Sequence, residues 1–105
     1  MTFKELIASD KPVIIDFFAE WCGPCKAFAP VLQDLKKELG DSAQIVKIDV
    51  DKNQELSVKM QVNSIPTVMI FQNGDLKFRE RGAPTKQKLK NEIFKLTKAR
   101  EEKEN

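Results

Sequence analysis

The sequence has no histidine and only two cysteines. A structural zinc site normally needs four Cys or His ligands, so the composition argues against zinc held within one chain, and no metal site is expected. A metal or cluster shared between two copies stays open. Without histidine, any proton acceptor in a reaction must be Asp, Glu, Lys or a thiolate.

Long apolar runs are also missing. The longest, from Val13 to Ala19, has seven residues and is interrupted by Asp16, whereas a membrane-spanning helix needs about 20. The N-terminal residues include the acidic Glu5 where a signal peptide would carry positive charge. The sequence therefore predicts a cytoplasmic protein without membrane contact, unless a segment upstream of this sequence directs it elsewhere.

A strong excess of one charge is absent as well, because the net charge is +2 over 105 residues. Lysines are frequent near the C-terminus, but the only aromatic residue among them, Phe94, lies at helical core spacing. Since nucleic-acid binders usually place stacking aromatics among basic residues, we interpret these lysines as a solvated helix face and expect no nucleic-acid partner. The length predicts a single domain, residues 1–105, whose charged end, about 99–105, should be frayed.

The sequence does contain an alternating pattern of helices and strands, in the order αβαβαββα. Helices are predicted shortly after Thr2, over 23–39, over about 53–60 and after Thr85; strands are predicted over 13–19, 45–50, 67–71 and 76–81.

The connections between these elements predict the fold class. A helix between the first two strands implies a parallel crossover, and Asn73-Gly74 supplies a hairpin turn between the last two strands. The expected fold is α/β, a mixed sheet of about four strands with helices on both faces. Cys22 then follows the first strand, at the end where α/β sheets bind ligands.

The segment Cys22-Gly23-Pro24-Cys25 carries the predicted chemistry. Two intervening residues place both sulfurs on one helical turn, close enough to bond. Cys22 lies at the positive end of the helix dipole, beside unpaired N–H groups that favour its nucleophilic thiolate. Cys25, one turn deeper, should be more buried and stay protonated until needed. The pattern predicts a dithiol–disulfide oxidoreductase in which Cys22 attacks a partner disulfide and Cys25 resolves the mixed disulfide.

A purely structural disulfide is the alternative interpretation of this pair. The loop that it would close is only four residues long, so the gain in stability would be at the low end of the range for disulfides. A reducing cytosol would also keep the bond open.

Asp16 lies in the middle of a predicted buried strand, where a carboxylate is unfavourable without a partner or a use. Burial should raise its pKa toward neutrality, which suits it to accept the proton of Cys25 through water. The alternative is a side chain at a strand edge that pairs with Lys47, and this pairing could itself tune the acid.

Pro66 lies at the start of a predicted central strand and suggests an edge or an unusual peptide bond. A cis bond would leave the backbone of Ile65 free to pair with an extended substrate. The residues alone leave cis and trans open.

Together, the segments DFFAEWCGPCKAFAP, IVKIDVD, SIPTVMIFQNG and RGAP resemble the thioredoxin family in order and spacing, with CGPC between Trp21 and Lys26 as the most specific signature. The resemblance implies the thioredoxin fold and reduction of protein disulfides, with electrons from a flavin-containing thioredoxin reductase or a related system. No cofactor beyond the Cys22–Cys25 disulfide is expected, and the protein is expected to be a monomer.

The resemblance also assigns roles to individual residues. It implies Cys22 as nucleophile, Cys25 as resolving thiol and Asp16 as the buried acid, with Lys47 beside it. It further implies a substrate-binding surface made by Trp21, Gly23, Pro24, Ile65, cis Pro66 and Gly82.

Three features depart from the family pattern. Only fifteen residues precede Asp16, so the usual N-terminal strand is expected to be missing. Phe18 stands where the family typically has Trp, which removes an indole N–H. Arg81 precedes Gly82 where an apolar residue is usual, and we hypothesise that it favours acidic partners.

The direction of exchange is the last question. CxxC proteins of this fold can reduce or oxidise, and Gly23-Pro24 resembles the reducing type. One alternative function is a binding module whose partner recognises the surface around Trp21 and Ile65 without turnover. Another, an electron donor dedicated to one enzyme such as a peroxidase, uses the same chemistry and cannot be distinguished by sequence.

Overall fold

The computed structural model describes residues 1–104. The elements follow the predicted order, with a short 3-10 turn added. They are α1 (Phe3–Ile7), β1 (Val13–Phe18), α2 (Gly23–Leu39), the 3-10 turn (Gly40–Ser42), β2 (Gln44–Asp49), α3 (Gln54–Lys59), β3 (Thr67–Gln72), β4 (Asp75–Arg81) and α4 (Lys86–Glu104).

The first helix is short and begins as its sequence predicts. The Thr2 side chain accepts a hydrogen bond from the Glu5 N–H at 3.1 Å, and the Glu5 carboxylate accepts one from the Thr2 N–H at 3.1 Å. This reciprocal cap satisfies two N–H groups that a helix start leaves unpaired. No strand precedes α1 within the described residues, as expected.

The strands form one mixed sheet in the order β2-β1-β3-β4. β1 is parallel to β2 and antiparallel to β3, and β3 pairs antiparallel with β4. The hairpin turn uses Asn73 and Gly74, both with positive φ, which Asn and Gly tolerate best. The predicted α/β class, with its mixed sheet of four strands, is confirmed.

The core has one layer on each face of the sheet, because β1 and β3 are buried almost throughout. On one face, Ile14 and Ile70 pack against Phe28 and Leu35 of α2 and against α4. On the other face, the opposite side chains of the same strands pack against α1 and α3. Alternate residues of each strand therefore belong to different core layers, one on each face of the sheet.

The C-terminal helix differs from its prediction in the position of one apolar residue. The helix extends to Glu104, the fraying expected over about 99–105 stays a prediction, and Asn105 lies outside the described residues. Phe94, which has the spacing of a core residue, is 67 % exposed, whereas Leu89 and Ile93 are buried. The buried stripe of α4 is narrower than the apolar pattern indicates. None of the helices within residues 1–104 is long and apolar enough to cross a membrane.

Candidate active site

Cys22 occupies the N-cap position of α2, directly after the loop that leaves β1. Its backbone is extended, and its Sγ accepts a hydrogen bond from the Cys25 N–H at 3.2 Å. Pro24 lies in the first turn, where its missing N–H leaves no helical hydrogen bond unmade. The sulfur of Cys22 is therefore held at the positive end of a 17-residue helix, where a thiolate is favoured.

Cys22 and Cys25 are joined by a disulfide, with their Cα atoms 5.3 Å apart. The expected difference in burial is not present in this state, since Cys22 is 4 % exposed and Cys25 is 3 % exposed. The expectation of a more buried Cys25 concerns the dithiol and stays a prediction for that state. The two cysteines differ in their neighbours instead.

The neighbours of Cys22 include three of the residues expected from the sequence to bind substrate. Its Sγ is 3.9 Å from the carbonyl oxygen of Ile65, and the Ile65–Pro66 peptide bond is cis. Gly82, with φ +88°, donates its N–H to the Pro66 carbonyl at 2.8 Å. This hydrogen bond joins the end of β4 to the Pro66 loop, so Ile65, Pro66 and Gly82 form one backbone surface beside Cys22.

Trp21 extends this surface on the other side of Cys22. The side chain is 70 % exposed, and its indole N–H donates to Asp51 Oδ2 at 2.8 Å. Asp51 follows β2, whose C-terminal end lies next to that of β1 because the two strands are parallel. Sequence reasoning did not single out Asp51, although carboxylates after β2 at this end of the sheet were a signal that could have identified it.

Cys25 has different neighbours. It contributes to a cleft of about 380 Å³ whose walls include Phe18, Ala29 and Lys47. Two of these groups are in contact, since the Lys47 ammonium lies 4.5 Å from the centroid of the Phe18 ring. The cleft gives the sulfur of Cys25 a partly polar environment.

Asp16 is fully buried in β1, on the side of the sheet that faces α2. Neither of its carboxylate oxygens has a hydrogen-bond partner among residues 1–104. Desolvation raises the pKa of Asp16 to about 6, and the positive charge of Lys47 opposes part of this rise. The carboxyl group can therefore change its protonation state near neutral pH, as a proton acceptor must.

Lys47 is paired with Asp16 in the register of β1 and β2. No ion pair within 4.0 Å joins them in the described part of the chain. The direct pairing considered from the sequence is therefore absent, and Lys47 acts on Asp16 through its charge at longer range. Within residues 1–104, no group of three or more His, Cys, Asp or Glu side chains is placed to hold a metal ion.

Comparison with known proteins identifies relatives of this site and fold. The family model described as Thioredoxin matches residues 1–95. A thioredoxin from Rickettsia typhi is 43 % identical over 90 residues, covering 85 % of this chain and 86 % of the relative.

Two further comparisons concern a longer, bifunctional relative and a crystal structure. A bifunctional thioredoxin reductase/thioredoxin from Mycobacterium leprae is 45 % identical over 87 residues, which cover 83 % of this chain and 19 % of that protein. The crystal structure of mitochondrial thioredoxin 3 from Saccharomyces cerevisiae in its oxidised form superimposes with a TM-score of 0.78 at 33 % identity, covering 89 % of this chain and 86 % of that one.

Proposed function

The chain belongs to the thioredoxin family, and from this premise we propose how its residues carry out the exchange. The protein is a dithiol–disulfide oxidoreductase that passes electrons to oxidised proteins through Cys22 and Cys25. The proposal concerns the role of each residue, the electron donor and the cellular setting.

In the first step, the thiolate of reduced Cys22 attacks one sulfur of a substrate disulfide. A bond forms between that sulfur and Cys22, and the other substrate sulfur leaves as a thiolate. The position of Cys22 at the N-cap of α2, with the Cys25 N–H directed at its sulfur, supports this role because both features stabilise negative charge on sulfur.

In the second step, Cys25 gives its proton through a water molecule to the Asp16 carboxylate and attacks the sulfur of Cys22. The Cys22–Cys25 disulfide forms, the mixed disulfide breaks, and the second substrate sulfur leaves. Two electrons have then moved from the dithiol to the substrate. The burial of Asp16 on the α2 side of the sheet and its raised pKa support its role as acceptor. Lys47 tunes that pKa by its charge.

The substrate segment is proposed to bind in an extended conformation beside Cys22. Trp21, Gly23 and Pro24 flank Cys22 in the sequence, and Ile65, Pro66 and Gly82 form the backbone surface beside its sulfur. The short distance from Cys22 Sγ to the Ile65 carbonyl supports this placement, because a substrate sulfur bonded to Cys22 would lie beside that backbone. Backbone pairing of this kind accepts many sequences.

The electron donor is proposed to be a thioredoxin reductase or a related flavin-containing system, which would reopen the Cys22–Cys25 disulfide. The relative from Mycobacterium leprae, a bifunctional thioredoxin reductase/thioredoxin, supports this pairing. A reducing compartment such as the cytoplasm suits a protein whose disulfide must be reopened in each cycle. One copy contains both sulfurs, so the monomer is proposed as the catalytic unit.

The Cys22–Cys25 disulfide at the start of α2 is the observation that carries this function. Its test is the equilibrium reduction potential of the pair, measured against a thiol buffer. We expect about −270 mV, the value typical of thioredoxins, and not the roughly −120 mV of a strong oxidant, a difference of about 7 kcal/mol. A potential near −120 mV would contradict the proposal that the protein reduces its substrates. A disulfide that the thiol buffer cannot reduce would contradict the exchange reaction itself.

A further inference from the structure

An open groove, called here the α2 groove, lies between α2 and the segment that joins β4 to α4. Its volume is about 560 Å³, compared with about 380 Å³ for the cleft beside Cys25. Most of the side chains that line it are apolar, and they are Pro24, Ala27, Phe28, Val31, Ala83 and Pro84. A groove of this size and composition is suited to bind part of another molecule.

The α2 groove is continuous with the proposed substrate surface on both of its walls. Pro24 belongs to that surface and also lines the groove. On the other wall, Ala83 directly follows Gly82, whose N–H donates to the Pro66 carbonyl. A substrate segment that leaves Cys22 between these two walls therefore enters the groove.

The geometry of α2 gives the distances from Cys22 to the groove. Each helical residue rises 1.5 Å, so Ala27 and Val31 lie about 8 and 14 Å from Cys22 along the helix axis. An extended segment advances about 3.3 Å per residue. Substrate residues about two to four positions from the reacting cysteine therefore reach the apolar part of the groove.

The far end of the groove carries an exposed acid. Asp34 lies about 18 Å from Cys22 along the helix axis, a distance that about five residues of an extended chain span. It forms no ion pair within 4.0 Å among residues 1–104. The neighbouring Lys86 is paired with Glu38 instead, at 2.5 Å. The carboxylate of Asp34 is therefore available to a basic side chain of a bound segment.

We propose that the α2 groove binds the part of a substrate segment that flanks its reacting cysteine. The preferred substrate carries an apolar residue about two to four positions from that cysteine and a basic residue about five positions from it. Backbone pairing beside Ile65 accepts many sequences, so the groove supplies selectivity that the pairing lacks. The proposal rests on the exchange function proposed above and adds a substrate class to it. The acidic preference expected from Arg81 concerns residues nearer the cysteine, because Arg81 directly precedes Gly82 of the substrate surface.

Symmetric disulfides of synthetic peptides test this preference, because either sulfur then carries the same segment into the site. The reference peptide has leucine at the second and third positions and lysine at the fifth position on each side of its cysteine. One comparison peptide has serine in place of leucine, and another has glutamine in place of lysine. The measured quantity is the second-order rate constant for oxidation of the reduced protein. We expect a preference of about fivefold for leucine and, at low salt, about twofold for lysine.

Substitutions in the groove should remove each preference separately. Ala27→Gln places a longer polar side chain on an exposed part of the wall and should remove most of the leucine preference. Ala99→Gln, the same substitution at an exposed position near the opposite end of α4, is the control. Asp34→Asn should remove the lysine preference, with Asp41→Asn in the exposed 3-10 turn as its control. Preferences that are absent from the unsubstituted protein, or that the groove variants and their controls change equally, would overturn the proposal.

Hydroxyethyl disulfide separates a failure of this proposal from a failure of the proposed function. This small symmetric disulfide has no segment that reaches the groove, so Ala27→Gln and Asp34→Asn should reduce it as fast as the unsubstituted protein does. Reduction of this disulfide together with equal rates for all three peptides would overturn the groove proposal alone. A protein that reduces none of these disulfides would contradict the proposed function, and the groove proposal would fail with it.

Discussion

Lys47 lies opposite Asp16 in the parallel pair of β1 and β2, yet its ammonium contacts the ring of Phe18, 4.5 Å from the centroid, and forms no ion pair with the carboxylate. The acid therefore keeps a buried position without a direct partner among residues 1–104. Desolvation raises its pKa to about 6 while Lys47 limits the rise. A close salt bridge would have favoured the charged form and left little capacity to accept a proton at neutral pH.

Asp16→Asn should stabilise the oxidised protein at neutral pH. The pKa of Asp16 is about 6 in the folded state against 3.8 as the ordinary value, so the stability that protonated Asp16 contributes is present below about pH 4 and is lost as pH rises through about 6. Removing the ionisable group should therefore raise the free energy of unfolding at pH 7.5 by up to roughly 3 kcal/mol.

Chemical denaturation of both proteins between pH 4 and pH 8 measures this difference. The gain should shrink toward the acidic end of the range, where the wild-type carboxyl group is protonated in the folded state. Asp75→Asn, at the exposed start of β4, should show no comparable dependence. A gain that is the same at every pH would mean that the charge of Asp16 is not its source.

Resolution of the mixed disulfide should depend on the ionisation of the same carboxyl group. If Asp16 accepts the proton of Cys25, the rate of this step should fall as pH decreases below about 6 and lose its dependence on this group in Asp16→Asn. The loss at pH 7.5 should be roughly a hundredfold. Stopped-flow release of a thiol from a preformed Cys22 mixed disulfide measures the step directly. Equal rates in the two proteins would exclude Asp16 as acceptor.

Lys47→Met should raise the pKa of Asp16 further, because the charge that opposes the desolvation effect is removed. Titration of the Asp16 carboxyl carbon by NMR measures the shift, with Lys47→Arg as a control that retains the charge. The expected order of pKa is Met variant above wild type, with the Arg variant close to wild type. A lower pKa in Lys47→Met would show that the lysine acts on Asp16 by something other than its charge.

The sequence predicted the order of the elements because the strongest signals were local. The apolar run of β1, the cap at Thr2 and the turn at Asn73-Gly74 all act within a few residues. Phe94 was misjudged because helical spacing gives a stripe but does not show how wide a surface the sheet covers.

The residues of the candidate site also fall into those that a local sequence pattern predicts and those that depend on distant contacts. Cys22 and Cys25 could be predicted because their spacing is itself the chemistry. The contact of Trp21 with Asp51 joins residues 30 positions apart, and no local pattern encodes it. The position of the Lys47 ammonium over Phe18 likewise depends on packing between β1 and β2. The similar burial of the two cysteines is a feature of the bonded state, whereas the prediction concerned the dithiol.

Arg81→Val should change the preference among substrates without impairing the exchange. Arg81 is exposed, pairs with Thr67 at the end of β4 and directly precedes Gly82, which bonds to Pro66. Its charge therefore lies beside the proposed substrate surface and should favour acidic segments. We expect the ratio of kcat/KM for an acidic over a basic disulfide peptide to fall severalfold, mainly through KM and more strongly at low salt.

Lys77→Val is the matched control, because it removes the same charge from the other end of β4. Its effect on the ratio should be small, since the distance from the active site exceeds the range of strong interaction in salt solution. A ratio unchanged by Arg81→Val, or changed equally by the two variants, would show that Arg81 does not select substrates.

Cys25→Ser distinguishes an enzyme from a binding module that uses the same surface. Cys22 would remain at the N-cap of α2 and could still attack a substrate disulfide, although serine lacks the sulfur needed to resolve the product. The variant should accumulate a covalent complex with a substrate protein, visible on a non-reducing gel and released by added thiol, and lose nearly all turnover. Cys22→Ser should trap no complex, since the inner Cys25 faces the cleft with Lys47 and not the Ile65 carbonyl. Full function of Cys25→Ser in the presence of its partner would favour the binding module, because recognition alone needs only the surface around Trp21 and Ile65.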